Sequence, residues 1–152
     1  MATTRRVLDR VPQAEFGWKP HEKSMSLGEL SGHLASIPMW CSAVTGAPSL
    51  DLDTLDGAGK SKAPSSHGAM LKEFDRLVAH GRADLARSTD AELLGPWTLK
   101  KGIQLLFTVP RITAIRTWVM NHSIHHRGQL TVYLRELNIP LPAIYGPSAD
   151  EQ

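Results

Sequence analysis

A chain of 152 residues, 41% hydrophobic and 21% charged, has the length and composition of one globular domain over residues 1–152, which excludes disordered, collagen-like and coiled-coil classes. Seventeen Lys and Arg against fifteen Asp and Glu leave a formal charge of +2, far from the basic stripe that nucleic-acid binding requires. The single cysteine, Cys41, excludes an internal disulfide, and with no leader pattern or run of about 18–20 apolar residues the expected location is a reducing cytoplasm.

Val7, Leu8 and Val11 recur at helical spacing and predict a short amphipathic helix over Thr3–Val11, stopped by Pro12. The run from Phe16 to His21 mixes rings with Gly and Pro and reads as an ordered connector whose Trp18 plugs a bundle end. Ser26 and Glu29 have capping-box spacing, and Met25 and Leu30 occupy the staple positions, so a helix starts at Ser26. Its stripe of Leu27, Leu30, Leu34, Ile37, Cys41 and Val44 continues past Pro38, which is read as a kink, and ends near Gly46.

Ala47–Ser66, rich in Ser, Gly, Ala, Pro and Asp, reads as a long loop, with Gly57–Pro64 expected to be a mobile stretch, and such loops often carry function. Met70, Phe74, Leu77, Val78, Gly81 and Leu85 predict a helix over about Ser66–Ser88. Trp97 and Leu99 alternate with polar residues before Lys100-Lys101-Gly102, and the β-prone run Ile103–Phe107 comes next, which predicts one small hairpin. Thr108, with Pro110 beyond it, starts a last helix whose apolar period runs through Ile115, Val119, Leu130, Tyr133, Leu134 and Leu137 to a stop at Asn138 and Pro140, about 40 Å in all. The expected class is all-α, an antiparallel four-helix bundle with a long loop after the second helix and a small hairpin before the last.

Three of the seven histidines lie in His122-Ser123-Ile124-His125-His126-Arg127-Gly128-Gln129-Leu130. His122 and His126 are one helical turn apart, so both imidazoles point the same way and can chelate one ion with bonds of about 2.0–2.1 Å. His33, set among Leu30, Leu34 and Ile37 with Gly32 leaving room beside it, is the third candidate ligand. His125, three residues from His122, competes with His126 but is favoured as a surface residue beside Arg127. Without a metal, the pair would hydrogen-bond backbone or water, and His33 would be a satisfied core histidine. His21, His67 and His80 receive no chemistry, and Cys41, on the apolar stripe, reads as buried and inert.

Trp18-Lys19-Pro20, the run from Ser26 to Leu34, the run from His122 to Leu130 and the ending from Pro142 to Glu151 together resemble the DinB/YfiT-like family of metal-binding helical bundles. The resemblance implies a divalent ion, typically nickel or zinc, held by His33 from the second helix and by His122 and His126 from the last, and it implies a homodimer. It also implies use of a low-molecular-weight thiol as cosubstrate in transfer to an electrophile, because a Lewis-acidic ion lowers a thiol's pKa. Metal-assisted hydrolysis is the alternative, weakened because Glu29 is spent in the cap and Asp150 and Glu151 lie in the tail. A non-enzymatic metal-binding or small-molecule-binding stress protein is the third reading.

Overall fold

Two of the predicted helices are interrupted, one at Pro38 and one between Thr108 and His122, where hydrophobic periodicity alone shows no break. The computed structural model describes residues 1–55 and 62–151. Part of the predicted long loop, including much of Gly57–Pro64, therefore lies outside the described residues. The chain forms two units, Met1–Ser36 with Ser61–Asp75 and Ser123–Gln152, and Ile37–Lys60 with Arg76–His122.

In the first unit, α1 (Ala2–Asp9) buries Val7 and Leu8, with Val11 just beyond it. The capping box forms as the sequence predicts: Ser26 N–H donates to Glu29 at 2.7 Å and Glu29 N–H to the Ser26 hydroxyl at 3.1 Å. It starts α2 (Leu27–Ser36), whose Leu27, Leu30 and Leu34 are fully buried. The first turns of α4 (His67–Arg87) contribute Met70 and Phe74, and α7 (His122–Glu136) contributes Leu130 and Leu134. Each such side chain is worth about 1.5–3 kcal/mol when fully buried. After α7, Asn138 takes a left-handed φ of 56° while Ile139 N–H donates back to Leu134 C=O, closing the helix at the predicted stop. Trp18 is half-buried, edge-on to Tyr133 at 5.6 Å between ring centroids.

In the second unit, α3 (Met39–Gly46) is a separate helix and not the far arm of a kinked one. Pro38 lacks an N–H to continue the ladder, and Ile37 and Pro38 form a turn closed by bonds from Trp40 and Cys41 N–H to their carbonyls. Three strands come after it: β1 (Ser49–Asp51), β2 (Pro96–Lys101) and β3 (Gln104–Pro110), in the order β1-β2-β3. The β2–β3 hairpin is the predicted one, turning at Gly102 with φ of 55°. The parallel β1–β2 pair, Leu50 opposite Leu99, has no local sequence signal and corrects the all-α class: the fold is helix-rich with a small mixed sheet. A five-residue helix, α5 (Asp90–Leu94), precedes β2 with its own Thr89/Glu92 capping box.

The last helix begins later than Thr108, which is a strand residue bonded through its hydroxyl to Thr98 at 2.8 Å. Pro110 ends β3 and caps α6 (Arg111–Ile115). A π-helical segment, Arg116–Asn121, separates α6 from α7. Arg111 donates to the carbonyls of Val44 and Ala47 at the end of α3, and Phe107 stacks on Trp118 at 4.5 Å. On the α4 stripe Met70, Phe74 and Gly81 are buried, whereas Leu85 is exposed. Among the described residues no helix is long and apolar enough to cross a membrane.

Candidate metal centre

α2 carries His33 in its second half, and the glycine before it is required by packing. A Cβ on Gly32 would lie 2.6 Å from the Lys62 carbonyl oxygen and 3.2 Å from Pro64 Cδ. One turn earlier, a Cβ on Gly28 would meet Ala63 Cβ at 2.9 Å and Phe16 at 3.0 Å. The space over Gly32 is thus filled by Lys62–Pro64, the end of the long loop.

α7 opens on His122, immediately after the π-helical segment, and presents His126 one turn later. π-Helical turns occur frequently at functional sites, where an extra residue re-aims the side chains of the next turn. His126 is buried, His33 and His122 are half-buried, and the ligand atoms of all three lie within 4.8 Å of one another. The His33 and His126 rings meet edge to face, 4.6 Å between centroids and 90° between planes. The Nδ1–H of His126 donates to Gln129 Oε1 at 2.7 Å, so the lone pair of the neutral ring is on Nε2.

The donor set fits a divalent ion. Two nitrogens bound at about 2.1 Å to one tetrahedral ion lie about 3.4 Å apart, so a 4.8 Å grouping closes around an ion by small side-chain rotations. Three neutral imidazoles are also the donor set of open, catalytic zinc sites. Ser123, between His122 and His126, is buried, and among the described residues its hydroxyl has no hydrogen-bond partner.

His125 is exposed and outside the cluster, its ring 4.8 Å from that of His126. His21 accepts from Lys23 N–H, His67 bonds the Leu8 carbonyl, and His80 lies against Arg76, and none of them joins the group of three. Cys41 is buried and donates to Gly81 C=O at 3.3 Å. Burial pushes its thiol up, with the charge of Asp84 adding to the effect, so it is a poor nucleophile. No carboxylate joins the cluster among the described residues. Glu29 is held by Ser26, Asp150 by Arg135 and Leu141 N–H, and Glu151 by Arg10 and Ala143 N–H.

Sequence reasoning missed Gln129, whose signal was its place three residues after His126 on the same helical face. It also missed the burial of Arg127, since an arginine between a histidine and a glycine carries no mark of the interior.

A family model described as the DinB family matches residues 2–152. The uncharacterized protein YrdA of Bacillus subtilis is 44% identical over 34 residues, 22% of this chain and 20% of that protein, so the matched stretch spans about a fifth of that relative's length. The crystal structure of a DinB-like protein from Bacillus subtilis, YjoA, is similar with a TM-score of 0.71 at 19% identity, covering 97% of this chain and 92% of that one. A DinB-like protein from Bacillus cereus ATCC 10987 is similar with a TM-score of 0.69 at 22% identity, covering 95% and 89%. At these identities the likeness is one of fold.

Proposed function

The chain belongs to the DinB family, and we propose that His33, His122 and His126 hold one divalent ion, nickel or zinc, at a site that activates a low-molecular-weight thiol for transfer to an electrophile. The observation that carries this reading is the convergence of three imidazoles from two helices with no carboxylate among them. A Lewis-acidic ion, when bound, lowers the pKa of a ligating thiol from about 8.5 towards neutrality.

The chain's own residues supply the rest. Three neutral donors leave a divalent charge uncompensated, which favours an anionic partner such as a thiolate over a neutral one. Gln129 holds His126 in one tautomer, and Lys62–Pro64 is seated on Gly28 and Gly32 of the helix that carries His33. Hydrolysis assisted by a general base would draw on a carboxylate, and the engagement of Glu29, Asp150 and Glu151 elsewhere supports the thiol reading over that one.

The test is a titration of cobalt- or nickel-substituted protein with several thiols. The expected result is a sulfur-to-metal charge-transfer band that is absent in His126→Ala. No spectral change at millimolar thiol, together with chelator-sensitive hydrolysis of an ester or amide, would replace the transferase reading with the hydrolase one.

A further inference from the structure

Arg127 comes directly after the candidate ligand His126 and is buried at 7% exposure. A buried guanidinium is costly unless its donors are met, and an acidic partner is the usual solution. Among the described residues Arg127 makes no ion pair. One of its terminal nitrogens donates to the Thr4 hydroxyl at 3.1 Å, the other to the Tyr145 hydroxyl, and the Tyr145 ring faces its Cζ at 5.1 Å. Thr4 is itself buried in α1, and Tyr145 lies in the tail after α7. The side chain therefore ties three separated segments of the first unit together at one point on α7.

Consecutive residues of an α-helix project about 100° apart. His126 thus faces His33 from one flank of α7 while Arg127 grips α1 and the tail from the other. A rotation of about 20° moves a group about 6 Å from the helix axis by about 2 Å. That distance equals a whole metal–nitrogen bond. Leu130 and Leu134 bury α7 but are apolar and non-directional, whereas a fork bonded to two hydroxyls and stacked on a ring sets an angle. We propose that Arg127 is a positioning residue for the three-histidine centre, fixing the rotation of α7 through Thr4 and Tyr145 so that His122 and His126 meet His33. The proposal rests on the metal reading above and adds to it the residue that aims the ligands.

The experiment measures zinc affinity by chelator competition, and the visible spectrum of the cobalt-substituted protein, for wild type, Arg127→Lys, Arg127→Met and the double variant Thr4→Val/Tyr145→Phe. Arg127→Met is expected to lose about 10–100-fold in affinity, the range for residues that orient ligands, with an altered cobalt spectrum. Arg127→Lys should recover only part of that loss, because an ammonium keeps the charge and loses the fork. The double variant, which retains Arg127, should shift affinity and spectrum in the same direction as Arg127→Met.

A lowered melting temperature with wild-type affinity and spectrum in Arg127→Met would overturn the proposal, since a merely structural role predicts that result. If Arg127→Met does not fold, an unchanged affinity in the double variant overturns it equally. Wild-type protein that takes up neither zinc nor cobalt would instead defeat the metal reading itself, and this proposal with it.

Discussion

His126 Nδ1 and Gln129 Oε1 lie 2.7 Å apart on one face of α7, so a single amide oxygen fixes the tautomer of the most buried histidine of the centre. Such a partner both orients an imidazole and raises its basicity. Gln129 is exposed, so Gln129→Leu should leave the helical circular dichroism intact while metal affinity falls about 10–100-fold. Wild-type affinity in that variant would mean that packing alone orients His126.

The seating of Lys62–Pro64 on α2 predicts opposite outcomes for two glycines. Gly32→Ala drives a Cβ to 2.6 Å from a backbone carbonyl that cannot swing away, and should destabilise by about 1–3 kcal/mol. Gly128→Ala, in α7 with nothing within 4 Å of the added carbon, should stabilise by about 0.5–1 kcal/mol through its helix propensity. Urea midpoints measure both, and a neutral Gly32→Ala would show that the loop end is not held against the helix.

Much of this arrangement was legible in the sequence, and the losses have physical causes. The capping box at Ser26, the stripe Leu27, Leu30 and Leu34, and the one-turn pair His122 and His126 are local patterns, and each is present in the fold. The break at Pro38 was masked because the apolar period resumes in α3 with Cys41 and Val44 both buried, so periodicity alone could not tell a kink from a turn. β1 is three residues long and pairs in parallel with a strand far along the chain, which no local signal reports. Nor does any propensity mark the π-helical turn before His122, since it depends on hydrogen bonds shifted by one residue.

Acid should weaken the fold through carboxylates held ionised by the protein. The Glu29 carboxyl sits below its usual range chiefly because Ser26 N–H donates to it, and Asp150 does so chiefly through its bond from Arg135. A depressed folded pKa gives stability that is fully present above the unfolded carboxylate range, near pH 4, and is lost as pH falls through the folded value. Glu29→Gln should therefore lower stability near neutrality and lose less of it between about pH 5 and pH 2.5. Denaturation curves across that range check it, and an unchanged acid limb in Glu29→Gln would assign the effect to the other carboxylates.

Cys41, buried with its thiol pushed up and bonded to Gly81 C=O, should resist an aromatic disulfide reagent at about pH 8 in the folded protein and react at once in denaturant. Rapid labelling of the folded chain would contradict the inert role and reopen an internal nucleophile.

The central claim is that three imidazoles form one metal centre, and its most direct test is metal content per chain by elemental analysis after loading with nickel or zinc and desalting. Wild type and His125→Ala should each retain one ion, whereas His33→Ala, His122→Ala and His126→Ala should retain none. Stoichiometric metal in folded His126→Ala, or its loss in His125→Ala, would contradict the assignment.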